Sequence, residues 1–249
     1  MKIIGISGRK QAGKNTAANY MVGSVLLSQG MIKDYYINEN GKLIINTNDA
    51  NGNAGYGIFD VLRKDNQFIE YAEKELWPYV KVYHFADPLK EMCVDLFNLD
   101  KKYVYGDNDD KNQLTNFYWK NMPDIGYRHL DYNKQMTHRE FLEHFGTKII
   151  RYIHNDAWSN YTLNKIEIEQ SELSIIPDVR FPNEVEAIKS KGGVVIRLTR
   201  DIFQSEVKSE SALDKENYDW SNFDLVINND NLTINELCKT LDLFKQHWS

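Results

Sequence analysis

Apolar positions along this chain switch between two spacings. Ile3, Ile4, Gly5 and Ile6 form a short continuous apolar run, suited to a strand buried on both faces. Over residues 17–29 the spacing lengthens to that of a helix, with Ala17, Met21 and Val25 on one line and Ala18, Val22 and Leu26 beside it. The alternation then recurs. Residues 80–85, 173–176, 194–198 and 224–227 predict four more strands, the third core strand ending at Pro177-Asp178. Residues 64–76 and 182–191 predict helices, the latter framed by Pro182 and Gly192-Gly193. Asp87 can cap a helix that begins at Pro88 and buries Leu89, Met92, Cys93, Leu96 and Phe97. Thr137 and Glu140 make a capping box for a helix carrying Phe141, Phe145, Ile149 and Ile153 on one face. Gly146 interrupts that helix at a cost in stability unless something approaches closely there. Asn155 can cap a further helix containing Trp158, and Thr233 with Glu236 caps a last one burying Ile234, Leu237, Cys238, Leu241 and Phe244.

Strands separated by helices imply right-handed crossovers and a parallel sheet covered on both faces, an α/β class fold in three layers. We expect one domain over 1–249 with additions to the core. Asn40-Gly41, flanked by Tyr35-Tyr36-Ile37 and Leu43-Ile44-Ile45, signals a hairpin within an insertion over 31–60. Its amide-rich sequel, 46–57, is expected to be a mobile loop. Residues 98–135, with an acidic run at 107–110, are expected to be irregular. Ligands of such sheets gather beyond the carboxyl ends of the strands, which places Ser7, Phe85, Asp178 and Thr199 around one cleft.

Between the first strand and first helix stands Gly8-Arg9-Lys10-Gln11-Ala12-Gly13-Lys14-Asn15. It fits the phosphate-binding loop G-x-x-x-x-G-K-[ST] except at its last position. Backbone N–H groups and the positive end of the helix dipole can hold phosphate oxygens there, and Lys14 can reach the β- and γ-phosphates of ATP. Asn15 stands where a hydroxyl would help hold magnesium, and Thr16 follows to supply one. This arrangement predicts a nucleotide site.

Composition narrows the classes. A net charge of -6 argues against a general nucleic-acid binder. Cys93 and Cys238 lie far apart inside apolar helical patterns, which suits core residues rather than a disulfide or metal pair, and the histidines lack metal-ligand spacing. The first strand starts at the N-terminus and no apolar run is long enough to span a bilayer, so a cytoplasmic protein is expected.

The order of segments, GKNT, FADPLK, REFLEHFGT, IIPDVRFPNE and DLVINND, resembles the deoxynucleoside monophosphate kinases of large bacteriophages, within the P-loop nucleoside monophosphate kinase superfamily. The likeness runs from residue 2 to about residue 240, outside the hairpin insertion and much of 98–135. It implies a P-loop NTPase fold with a five-stranded parallel sheet, a homodimer, and phosphoryl transfer from ATP, with Mg2+, to a deoxynucleoside monophosphate. Residues 86–160 become the monophosphate-binding region and 200–222 a lid-like segment. Arg139 resembles the family's monophosphate arginine, though an arginine in a helix's first turn is also an ordinary solvated residue. Phe85, Asp87 and Lys90 in FADPLK resemble the monophosphate side, with a plain helix cap as the other reading of Asp87. Arg200 and Glu210 fall in the lid-like segment. Asn228 and Asn229 follow the last strand, where related kinases hold adenine and where a polar turn is equally at home. Asp178 matches a Walker-B-like position for magnesium, or else caps the helix at Pro182, and Arg180 beyond it can offset charge on the transferred group. Trp158 can stack on a base or fill a core. Other P-loop small-molecule kinases, such as those acting on phosphomevalonate or dephospho-coenzyme A, and a non-catalytic nucleotide switch are the rival readings.

Overall fold

The computed structural model describes residues 1–48, 52–123, 131–200 and 211–248. In chain order it forms β1 (Lys2–Ser7), α1 (Lys14–Ser28), β2 (Asp34–Ile37), β3 (Leu43–Asn48), β4 (Ala54–Ile58), α2 (Asn66–Glu75) and β5 (Val80–Val82). Next come α3 (Asp87–Phe97), α4 (Lys101–Tyr105), α5 (Asn108–Lys111), β6 (Leu114–Tyr118), β7 (Gln135–Thr137) and α6 (His138–Glu143). A π-helical stretch (His144–Ile150), α7 (Arg151–Ile153) and α8 (Ala157–Glu169) follow. The chain then builds β8 (Leu173–Val179), α9 (Pro182–Ser190), β9 (Val194–Thr199), β10 (Leu225–Asn228) and α10 (Ile234–Asp242). Its contacts divide it into two compact units, Met1–His84 with Leu163–Ser249, and Phe85–Thr162.

The first unit is built on a five-stranded sheet in the order β10-β9-β1-β8-β5, every pair parallel. Alternation along β1 explains why both faces are covered. Ile4 and Ile6, fully buried, join a core with Met21 and Val25 of α1 and Leu237 and Leu241 of α10. Gly5 faces the other way, where a Cβ would come within 2.6 Å of Ile188 Cδ1 in α9. This is the expected P-loop NTPase-like α/β fold. β8 runs one residue beyond the expected end at Pro177-Asp178, to Val179. The register steps from Gly5 opposite Ile176 to Ser7 opposite Val179, so two residues of β8 oppose one of β1. Proline is tolerated because β5 pairs only as far as Ile175, so its missing N–H leaves no gap on that side.

The insertion is a three-stranded antiparallel sheet, β2-β3-β4. The hairpin is present, but the expected loop over 46–57 is in its described part largely strand, with β4 paired to β3 from Ile58 opposite Ile44 to Ala54 opposite Asn48. Glycine and asparagine obscured the period-2 pattern that Tyr56 and Ile58 complete. Tyr56 donates its hydroxyl to Asp34, at 2.7 Å, and packs on Tyr36. The turn is the three-residue kind, with Gly41 left-handed at φ 71° and Asn38 Oδ1 accepting the N–H groups of Asn40 and Lys42. Asn19 of α1 donates to the Gly41 carbonyl at 2.8 Å, and a Cβ on Gly41 would collide with Thr16 Oγ1. Gly41→Ala therefore combines a left-handed alanine with a steric clash. It should cost about 1–2 kcal/mol and lower Tm by roughly 2–8 °C, read by thermal unfolding. An unchanged Tm would mean that the hairpin does not bear on α1.

The second unit has a core of Cys93, Leu99, Val104, Trp119, Met136, Phe141, Leu142 and Phe145. Part of the region expected to be irregular is regular: α4, α5 and β6 lie within it. The acidic run explains one of these helices, since Asp107 accepts from the N–H groups of Asp109 and Asp110 in a capping box. Asp87, by contrast, is not a cap. It lies inside α3, the cap position falls to Ala86 without a side-chain bond, and its carboxylate stands 3.7 Å from Lys90 Nζ one turn on. Only part of the expected apolar face of α3 is covered: Cys93 is buried, whereas Met92 and Leu96 are exposed. Ile153 is likewise exposed, because α7 ends there. Thr137 and Glu140 form the expected capping box. At Gly146 the helix takes on the π form, and a Cβ would come within 2.6 Å of Leu89 Cδ2, the close approach that offsets glycine's cost. Among the described residues no helix is long and apolar enough to cross a membrane.

Candidate functional site

The phosphate loop leaves the buried end of β1 and enters α1 through Gly13, left-handed at φ 96°. A Cβ on Gly13 would come within 2.8 Å of Asn229 Nδ2, so glycine is required by space as well as by conformation. Lys14 turns back across the loop, its Nζ donating to the carbonyl oxygens of Gly8 at 2.6 Å and Arg9 at 2.7 Å. The Arg9 carbonyl also accepts the Ala12 N–H at 3.2 Å, which makes residue 9 a pivot of the loop. Lys10, Gln11 and Asn15 are exposed, Ala12 is buried, and Gln11 is left-handed at φ 64°. Thr16 is half-buried in the first turn of α1, with Gly41 of the insertion against its hydroxyl.

Asn229 is buried at 4% exposure and holds the loop directly, its Nδ2 donating to the Ala12 carbonyl at 2.9 Å. Asn228 is exposed, and its side chain accepts the Asp230 N–H at 2.9 Å, as a polar turn does. Asp178 is half-buried beside Val179, whose Cα pairs with that of Ser7, so the residue stands next to the strand end from which the loop departs. At the start of α9, Glu184 accepts the N–H groups of Arg180 and Phe181 at 2.7 and 3.1 Å. Arg180 is exposed, and Arg200 brings Nη1 within 3.5 Å of the Gln11 carbonyl. Glu210 lies outside the described residues, as does much of the 200–222 segment.

A charged network under the loop was not foreseen. Asp214, 6% exposed, takes the Nε of Arg9 at 3.2 Å on both oxygens and Nη2 at 2.5 Å on one. Its other oxygen receives Nη2 of Arg197 at 2.9 Å, and Arg197 Nη1 donates to Ser7 Oγ at 2.9 Å. Arg197 is 4% exposed in the centre of β9, an exceptional place for a charge in a sheet covered on both faces. That position inside VVIRLT was the legible signal, because a buried guanidinium must find an anion.

The second unit gathers cations around α5. Arg139 is exposed, its guanidinium held by Asn108 Oδ1 at 2.9 Å and Asn112 Oδ1 at 3.3 Å. Lys111, which carried no signal in the sequence, binds the Gly106 carbonyl, and Lys90 lies 5.2 Å from the ring centre of Tyr105. Burial pushes the Lys111 ammonium below its usual range, and the positive charges of Lys90 and Arg139 add to that. Phe85 is buried at 2% exposure. Trp158 fills the core, buried at 6% exposure with its indole N–H donating to the Gly146 carbonyl at 3.2 Å.

The chain matches the family described as "Deoxynucleotide monophosphate kinase" over residues 2–241. It is also similar to a protein of Acanthamoeba polyphaga mimivirus named "Putative deoxynucleotide monophosphate kinase", 29% identical over 164 residues, which cover 61% of this chain and 76% of that one.

Proposed function

Since the chain belongs to the deoxynucleotide monophosphate kinase family, we propose that it transfers the γ-phosphoryl group of ATP to a deoxynucleoside monophosphate, releasing ADP and a deoxynucleoside diphosphate for DNA precursor synthesis. The observation that carries the reading is the phosphate loop folded between β1 and α1, with the Lys14 ammonium held across it. An oxygen of the acceptor phosphate attacks the γ-phosphorus, and the bond to the β,γ-bridging oxygen breaks. Charge compensation and alignment are the protein's main tasks in such a transfer. Gly8 to Gly13 offer backbone N–H groups, Lys14 meets the β- and γ-phosphates, and Arg180 offsets charge on the moving group. Arg139 and Lys90 grip the acceptor phosphate, joined by Lys111.

Among the described residues no group of three or more His, Cys, Asp or Glu is placed to hold a metal. Asp178 supplies one carboxylate near the strand end, which suits a magnesium ion that would otherwise be held by the Thr16 hydroxyl, phosphate oxygens and water. When bound with ATP, magnesium would neutralise phosphate charge, with Asp178 and Thr16 as the residues to hold it. The bacteriophage-type assignment, the homodimer and the cytoplasmic location belong to the same proposal.

A coupled assay of ADP formation from ATP and magnesium, run against all deoxy- and ribonucleoside monophosphates and small phosphorylated acceptors, tests the reading. Turnover that depends on a deoxynucleoside monophosphate is the expected result. Preference for a small phosphorylated acceptor would transfer the protein to another kinase class, and slow hydrolysis indifferent to every acceptor would indicate a nucleotide switch. Within the same assay, Arg139→Lys should raise the acceptor's KM about tenfold and leave that of ATP within twofold, because an ammonium cannot reproduce the planar fork. A changed KM for ATP with normal acceptor kinetics would place Arg139 on the donor side.

A further inference from the structure

The Arg9–Asp214–Arg197–Ser7 network has a layout that stability alone does not explain. Ser7 and Arg197 are paired Cα neighbours on β1 and β9, so their side chains lie side by side on one face at the root of the loop. Arg197 packs over the rings of Trp220, at 5.6 Å, and Phe223, at 6.0 Å, and is fixed in place by them. Asp214 belongs to a tightly turned segment, its N–H bonded to Ser211 and its carbonyl accepting from Asn217 and Tyr218. A buried carboxylate thus stands between one fully buried guanidinium and one at the loop, with side-chain exposures of 8% for Asp214, 4% for Arg197 and 25% for Arg9. Burying such a set is costly and an apolar replacement is often no less stable, so retention for stability is a weak explanation. What the set achieves is to hold the side chain of Arg9, whose own carbonyl receives the Lys14 ammonium.

We propose that Asp214 and Arg197 are positioning residues for ATP: they fix Arg9 from behind, and through the Arg9 carbonyl they hold the loop and Lys14 in the arrangement that receives the triphosphate. The proposal rests on the kinase reading for the identity of the ligand. It assigns Arg9 a structural fork rather than a point charge. Two guanidiniums against one carboxylate leave the network one positive charge in excess, so it anchors the loop without cancelling its attraction for phosphate. A loop held in this way loses less freedom on binding, so the benefit of the network appears as affinity.

The test is equilibrium binding of ATP with magnesium to the full chain, by calorimetry, for wild type, Arg9→Met, Arg9→Lys, Asp214→Asn and the Arg9→Met/Asp214→Asn double variant. Arg9→Met and Asp214→Asn should each raise the Kd about tenfold, and the double variant should bind no more weakly than the worse single one. Arg9→Lys should bind within about twofold of Arg9→Met, because a lysine keeps the charge and loses the fork. In turnover, Asp214→Asn should raise the KM for ATP and leave that of the acceptor unchanged. Effects that multiply in the double variant would overturn the proposal, as would wild-type affinity in Arg9→Lys. Lowered thermal stability of Asp214→Asn with unaltered ATP affinity would reduce the network to a structural one. Should Asp214→Asn fail to fold, the comparison of Arg9→Lys with Arg9→Met decides alone, since Arg9 is the least buried member of the ion-paired set. A wild type that does not bind ATP would overturn the kinase reading and this proposal together.

Discussion

Lys14→Ala is expected to fold, bind ATP more weakly and turn over at least about 100-fold more slowly than the wild type. The ammonium sits on two carbonyl oxygens, those of Gly8 and Arg9, in hydrogen bonds that are only part-buried. Exchanging these bonds for water should therefore cost only about 1 kcal/mol each. On the proposed reaction catalysis loses far more, because negative charge shifts toward the β,γ-bridging oxygen as the phosphoryl group leaves, and Lys14 is the cation proposed to meet it. Thermal unfolding and steady-state kinetics separate the two effects. A folded variant with wild-type kcat would remove Lys14 from the chemistry and the motif would be only a turn.

Asp178→Asn comes next in expected size. Asn keeps the shape of the side chain and one acceptor oxygen but lacks the charge proposed to draw magnesium. We expect the magnesium concentration for half-maximal rate to rise about tenfold or more, with a similar fall in rate at saturating metal. Affinity for metal-free nucleotide should change little. Stability is the informative control here. Glu184 already accepts two N–H groups at the start of α9, so loss of the Asp178 charge should not unfold that helix. A substantial drop in Tm with an unchanged magnesium titration would return Asp178 to a structural role.

The local features of this chain were legible because local physics produces them. The apolar run Ile3 to Ile6 must be covered on both faces, and the glycine-framed loop needs φ values that Gly13 supplies at 96°. Thr137 with Glu140 and Thr233 with Glu236 satisfy their own helix ends without help from distant residues. Five strands, their order of appearance, the phosphate loop and the hairpin therefore follow from residue type and spacing. Misreadings arose where composition disguised a local pattern, as at Tyr56 and Ile58 among glycines, or where a residue able to cap fell one position inside its helix, as at Asp87.

The tertiary structure alone decided which residues meet. Asp214 is separated from Arg9 by 205 positions, and nothing in its own neighbourhood, SALDKEN, marks it as a buried ion-pair partner. The hairpin's turn rests on Thr16 because β2 and β3 pack along α1, a contact between segments whose sequences carry no sign of each other. Asn229 reads as a turn residue until the strand order puts β10 at the edge of the sheet beside β9, from which its side chain reaches the Ala12 carbonyl. Arg197 lies between these cases. Its place in an apolar strand announced that a partner was needed, since an unpaired guanidinium in a doubly covered sheet costs several kcal/mol. Which carboxylate would answer depended on where residues 211–222 come to lie, and that placement is set by packing within the unit rather than by any one stretch of it.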